Sequence, residues 1–296
     1  MTVTKARPEE ITLEDAVDQF LEFLESSNHP ANTIGAYQAD LAQLVLFLQG
    51  SNLTVLSDVG EPNLLAYFQT LQAQKYSNAS LQRKRAALKS FLGYLSREGI
   101  SELQVSGDFP SFKIDKTPRV SLTAEEVRNL FEVASNCSSP FRLRDYAMLV
   151  LSYSTGLRAT ELVSLRVEQV RLDESHVQGI RRGRFERQVP FSEEAGAVIA
   201  SYVAEGRPRL VKGSDNGALF LNDRGTQIGR QWLFHVLKEY GREAGIYVNS
   251  SVLRNTFAVD VLSRGTSLSD FNELLGNTLD FPRPRYIDSG TVPALP

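Results

Sequence analysis

From Thr12 to Ser96 the apolar residues return every three or four positions, and no stretch alternates. That spacing allows helices and leaves nothing from which to build a sheet. Ala16, Phe20, Phe23 and Leu24 share one face of a helix over Thr12–Leu24, which "NHPANT" ends. Tyr37, Leu41, Leu44, Val45 and Leu48 repeat the pattern over Thr33–Leu48. Pro62–Ala73 and Asn78–Ser96 make a third and a fourth helix. Residues 1–104 therefore predict a helical domain.

Helical period is lost over 101–120, where Gly107, Pro110 and Pro118 break the chain. We expect an extended linker at 105–118 and a second domain over 119–296. Thr123 and Glu126 have capping-box spacing ahead of an apolar helix. Leu143–Tyr153 reads as a more buried helix. "QVRLDESHVQGI" and "RFERQVPF" alternate and read as strands joined by a basic turn, and "GALFLNDRGTQIG" as a short strand with a turn. Helices are expected at 229–244, 251–263 and 268–275. The fold class is mainly α, with a small antiparallel sheet in the second domain.

The chain of 296 residues, 42% of them hydrophobic, is long enough to fill two cores. No apolar run reaches the roughly 18 residues of a membrane span, and the first residues lack a signal peptide's apolar stretch. One cysteine, Cys137, forms no internal disulfide and suits a reducing cytoplasm. Three scattered histidines and that cysteine make no metal site. The net charge of −3 argues mildly against nucleic acid, but charge is unevenly spread. Residues 9–25 are acidic, whereas "LQRKRAALK" (81–89) and "RRGRFERQ" (181–188) are basic.

Two arginines stand out. "STGLRATEL" (154–162) sets Arg158 at a helix start, where backbone donors and a guanidinium together suit a phosphate. In "SVLRNTFAVDVL" (251–262), Val252, Leu253, Phe257, Ala258, Val261 and Leu262 fill one side of a helix. Arg254 sits at the start of that apolar segment with no acid three or four positions away. A buried unpaired cation is costly, so Arg254→Ala should raise stability when no anion is bound.

"TGLRATEL", the hairpin "RRGRFERQVPF", "VLRNTF", "LLGN" (274–277) and Tyr286 occur in the order found in the tyrosine recombinase (phage-type integrase) family, and the chain resembles its Xer-like members most. The resemblance runs the length of the chain. It implies a core-binding domain followed by a catalytic domain, closing as a clamp on double-stranded DNA with the linker crossing the duplex. It implies that Arg158 and Arg254 clamp one scissile phosphate, that Tyr286 attacks it to give a 3′-phosphotyrosyl link, and that no cofactor or metal is required. Self-association on DNA as a dimer or tetramer in a synapse is implied, with a second recombinase as a possible partner.

Three positions depart from the family pattern. Its hairpin lysine aligns with Arg182, which stays protonated and is a poor proton source. A histidine aligns with Ser251, which can donate a hydrogen bond but is no base near neutral pH. A histidine or tryptophan aligns with Asn277. His235, in "WLFHVLKEY", is the one histidine weighed as a substitute. Pro282 and Pro284 oppose a long helix before Tyr286, and the ten residues after it include Gly290, Pro293 and Pro296, a poor sequence for a full docking helix. Candidate DNA contacts are Arg83, Lys84, Arg85 and Lys89 on the fourth helix, Arg181, Arg184 and Arg187 on the hairpin, and Arg230 at the next helix start. Two alternatives stand beside an active recombinase. One is a catalytically silent relative that regulates by binding DNA or partners an active recombinase. The other is a helical protein-interaction module, which steep salt dependence of DNA binding would exclude.

Overall fold

A computed structural model describes residues 11–107, 109–113, 120–182 and 185–276. The chain divides into two units, Met1–Lys116 and Thr117–Pro296.

The first unit contains α1 (Leu13–Ser26), α2 (Ala31–Gln49), α3 (Glu61–Ala73) and α4 (Asn78–Arg97). Three of these starts have a local cause. The Thr12 hydroxyl accepts the Asp15 N–H at 3.1 Å, and the Ser77 hydroxyl accepts that of Ser80 at 3.2 Å. Pro62 lies in the first turn of α3, where its missing N–H costs nothing. Helix α1 packs on α2 and α4, and Phe20 lies 5.6 Å from Phe91 and 5.5 Å from Tyr94 between ring centroids.

Two expectations for this unit are revised. Lys84 does not present its charge to solvent. Its ammonium donates to Asp40 at 2.8 Å and to Gln43 at 2.6 Å, and both ions are buried. Arg83 reaches the same carboxylate from the surface. The segment expected as linker is not a loose tether throughout, because Phe109 and Phe112 are buried against Phe68. Their large apolar area outweighs the cost of fixing an irregular backbone.

The second unit is built around α6 (Arg142–Thr155), which is buried over most of its length. Helix α5 (Ala124–Asn136) packs against it and opens with the predicted capping box, Thr123 and Glu126 exchanging hydrogen bonds at 3.2 and 2.7 Å. The short α7 (Ala159–Val163) follows. Strands β1 (Val170–Arg171), β2 (His176–Arg182) and β3 (Phe185–Pro190) form an antiparallel sheet in that order, with an irregularity between Val177 and Ile180. Then come α8 (Glu193–Ser201), α9 (Arg207–Leu210), α10 (Arg230–Glu243), α11 (Ser250–Ser263) and α12 (Leu268–Leu275).

Helices α8 and α9 were not anticipated. They are joined by a π-helical turn over Tyr202–Gly206, just where Pro208 removes a ladder N–H. The strand expected in 217–229 is instead a pair of single bridges, Arg166 to Ala218 and Leu221 to Gln227. The Asn222 side-chain oxygen there accepts the N–H groups of Arg224 and Thr226, holding a turn where a ladder would otherwise extend.

Candidate active site

Helix α6 ends at Gly156 with φ +57°. A Cβ at this position would lie 2.3 Å from the Phe257 ring, so glycine is required both for the left-handed turn and for the approach of α11. The turn delivers Arg158 to the N-cap of α7. Arginine cannot cap a helix with its own side chain. The Glu161 carboxylate accepts the Arg158 main-chain N–H at 2.8 Å and its guanidinium at 3.0 Å.

Arg254 is carried by α11, whose start is fixed by Asn249 accepting the N–H groups of Ser251 and Val252. Val252, Leu253, Phe257 and Ala258 are buried as predicted, Val261 and Leu262 are only half-buried, and Arg254 itself is half-buried. Its guanidinium donates to the main-chain oxygens of Gly156 and Leu275, the latter at 2.7 Å. The expectation of an isolated buried cation is thereby corrected. Carbonyls at the ends of two helices hold it, where the backbone dipoles present partial negative charge.

The end of α12 is the meeting point. It closes on Gly276, again left-handed with φ +57°. Three successive carbonyls there each accept from a different arginine: Leu274 from Arg187 at 2.9 Å, Leu275 from Arg254 at 2.7 Å, and Gly276 from Arg158 at 3.2 Å. The cations come from β3, α11 and the cap of α7. Glu161 is the carboxylate partner of two of them, Arg158 and Arg187. It takes Arg187 through both oxygens, at 3.1 and 2.8 Å. Burial pushes the Glu161 carboxyl upward, but the Arg187 hydrogen bonds, the Arg158 N–H and the two guanidinium charges outweigh it, leaving its pKa below the ordinary carboxylate value. Such a cluster concentrates fixed positive charge and planar donor arrays, which suit a tetrahedral oxyanion.

Among the other candidates, Ser251 is exposed one turn before Arg254, and Arg182 ends β2 opposite Phe185. Asn277, Arg184 and Tyr286 lie outside the described residues. His235 is exposed on α10, its ring 5.9 Å from that of Phe234. Lys89 is exposed and Arg85 half-buried, both on α4. Arg181 is exposed and paired with Glu186 across the hairpin at 2.8 Å, and Arg230 is exposed at the start of α10. Arg187 is not a surface contact: its side chain is buried against Glu161 and the end of α12. The sequence reading assigned no role to Glu161. Its signal was an acid three residues after Arg158, at the position that can satisfy a helix start whose N-cap has no acceptor of its own. Among the described residues no group of three His, Cys, Asp or Glu side chains could hold a metal ion.

Residues 120–280 match the profile of the Phage integrase family, and residues 17–99 that of the Phage integrase N-terminal SAM-like domain. A tyrosine recombinase XerC of Roseiflexus castenholzii is 36% identical over 270 residues, covering 90% of this chain and 86% of that protein. A tyrosine recombinase XerD of Listeria innocua is 34% identical over 275 residues, covering 90% and 91%. In fold, the chain is similar to XerH site-specific recombinase bound to its difH substrate, with a TM-score of 0.72 at 18% identity over 94% of this chain and 93% of that one. It is also similar to a lambda integrase tetramer bound to a Holliday junction, with a TM-score of 0.71 at 15% identity over 96% and 80%. The chain belongs to the phage integrase family, as a Xer-like tyrosine recombinase.

Proposed function

We propose that the protein recombines DNA at a specific site, cutting and rejoining strands through a covalent link to Tyr286. The observation that carries this reading is the convergence of Arg158 and Arg254 on adjacent carbonyls at the end of α12, directly before the residues that bear Asn277 and Tyr286. The two guanidiniums would hold the non-bridging oxygens of the scissile phosphate. The Tyr286 oxygen attacks phosphorus, the bond to the 5′-oxygen breaks, and that oxygen takes a proton to leave as a 5′-hydroxyl. The same or another strand's 5′-hydroxyl reverses the step and releases tyrosine. One ester replaces another, so the bond energy is conserved and no nucleotide triphosphate is consumed. Arg182, Ser251 and Asn277 would donate hydrogen bonds to the phosphate or the leaving oxygen.

Arg83, Arg85, Lys89, Arg181, Arg184 and Arg230 would contact phosphates and position the duplex. The reaction joins strands of two duplexes. We therefore read the working form as a dimer or tetramer assembled on DNA, with a second recombinase as a possible partner, acting in the cytoplasm. No described helix is long and apolar enough to cross a membrane.

The test is recovery of covalent protein–DNA complexes from cells lysed in denaturant without crosslinker, comparing wild type with Tyr286→Phe. Adducts at one recurring sequence, absent from the phenylalanine variant, are expected. If adducts are absent while formaldehyde-treated cells yield specific DNA, the protein binds its site without cutting it, and the proposal fails.

A further inference from the structure

The geometry points to Arg187 as a positioning residue that joins the hairpin, the start of α7 that carries Arg158 and the end of α12, acting through Glu161 and Leu274 and making no DNA contact. This inference rests on the recombinase reading above. Arg187 faces Ile180 in the sheet, two residue pairs from the Arg182–Phe185 pair at the turn end of the hairpin. Its side chain is 6% exposed, and each of its three nitrogens donates a hydrogen bond: Nε to the Leu274 oxygen, and Nη1 and Nη2 to the two oxygens of Glu161. To reach a phosphate it would have to abandon a buried, bidentate ion pair, which is expensive.

A second, independent feature comes from Gly276. A Cβ on this residue would lie 2.6 Å from Arg187 Nη1 and 2.9 Å from its Cζ. The chain leaving α12 thus turns directly across the guanidinium, one residue before Asn277 and ten before Tyr286. Whatever moves Arg187 moves the point from which the nucleophile's segment departs.

Charge gives the other half. Glu161 touches Arg158, so it opposes the positive charge that Arg158 offers to a phosphate. Arg187 supplies a second cation to the same carboxylate, leaving more of the Arg158 charge for substrate. Without Arg187, Glu161 would have Arg158 as its remaining arginine among the described ion pairs.

The experiment uses the full chain and a nicked duplex bearing the sequence recovered by covalent trapping. Single-turnover cleavage and equilibrium binding are measured on the same preparations. Arg187→Gln is expected to slow cleavage about 100-fold, the scale of a misplaced reacting group. Its DNA affinity should stay within about twofold and its salt slope unchanged, as for a residue that releases no counterion. Adding Glu161→Gln to that variant should recover about tenfold of the rate, because the uncompensated carboxylate is gone. Unchanged cleavage in Arg187→Gln overturns the inference. So does a loss of affinity with a salt slope smaller by about one, which would mark a phosphate contact. A double variant no faster than the single one overturns the route through Glu161. If Arg187→Gln does not fold, Arg187→Lys carries the same comparison, since lysine keeps the charge but cannot span both Glu161 oxygens and Leu274. Wild-type protein that forms no Tyr286-dependent adduct defeats the recombinase reading itself, a result visible before any Arg187 variant is made.

Discussion

Arg254 donates to the main-chain oxygen of Leu275 at 2.7 Å, so the second arginine of the proposed phosphate clamp also closes the end of α12. One side chain therefore serves the resting fold and the proposed chemistry. Arg254→Ala should lower stability, the reverse of what the apolar pattern around it suggests. It strips acceptors at two helix ends of a charged donor, and hydrogen bonds to charged groups are worth about 1.5–3 kcal/mol. Calorimetry without DNA should show the second unit unfolding at a lower temperature. An unchanged or higher temperature would return Arg254 to the status of an unsatisfied cation.

Asp40 and Lys84 form the equivalent commitment in the first unit. Asp40→Ala leaves Lys84 buried without its carboxylate and should cost about 3–5 kcal/mol. Lys84→Met should cost less, because Asp40 keeps Arg83. Chemical denaturation ranks the two variants. DNA affinity of Lys84→Met should match wild type, whereas Lys89→Met, on the exposed face of α4, should bind more weakly with a shallower salt slope.

Gly156→Ala tests how closely α11 must approach α6. The left-handed turn costs a non-glycine residue about 1–2 kcal/mol, and the clash with Phe257 adds overpacking of about 1–3 kcal/mol. Adding Phe257→Leu should recover the steric part and leave the backbone part. A double variant as unstable as Gly156→Ala alone would show that the conformation, and not the ring, demands glycine.

The helices of the first unit were readable because each buries an apolar stripe at helical spacing, and Thr12 and Ser77 mark their starts. Position on the helix already separates two of the charges in "LQRKRAALK": Lys84 falls on the stripe of Leu81 and Leu88, and Lys89 lies off it. The partners that make a buried Lys84 tolerable, Asp40 and Gln43, are more than 40 residues away and carry no local signal. The site divides in the same way. Arg158 and Arg254 were visible through their motifs, but their resting partners are main-chain oxygens, which carry no sequence signature. Strand alternation puts Arg187 on the face of buried Val189 and opposite buried Ile180, so its inward direction is legible in the sequence; the partners that take its guanidinium there, Glu161 and the Leu274 oxygen, are not.

Glu161 makes the second unit sensitive to acid. Its pKa in the folded chain lies below the ordinary value of 4.5, so protons bind the unfolded chain more readily. The stabilisation is therefore complete above that ordinary value and is lost as pH falls through the lower, folded one. Asp215, held down by Arg207, contributes to the same acid limb, so the comparison must isolate Glu161. Glu161→Gln should be less stable than wild type at pH 7, and the gap should narrow below about pH 4.5. Melting temperatures of both proteins across pH 3–7 give the answer. A constant gap would mean that the carboxylate's charge contributes nothing beyond its hydrogen bonds.

In the proposed reaction, Ser251 and Arg182 align with the positions at which the family pattern implies proton-transfer groups for the leaving 5′-oxygen. Serine cannot act as a base near neutral pH, and arginine holds its proton. The clamp and nucleophile alone should still cleave, but slowly, since general acid–base help is typically worth about 10²–10⁴ in rate. Ser251 is exposed at the second position of α11, with its N–H taken by Asn249, so a histidine there has room and disturbs no cap. The pair Ser251→His and Arg182→Lys should therefore raise single-turnover cleavage by at least about tenfold, with an alkaline fall as lysine loses its proton. DNA affinity should not change, because the charge at position 182 is conserved. If the rate does not rise, proton transfer is not what limits this site, and the limit lies in how the α12 end delivers Tyr286.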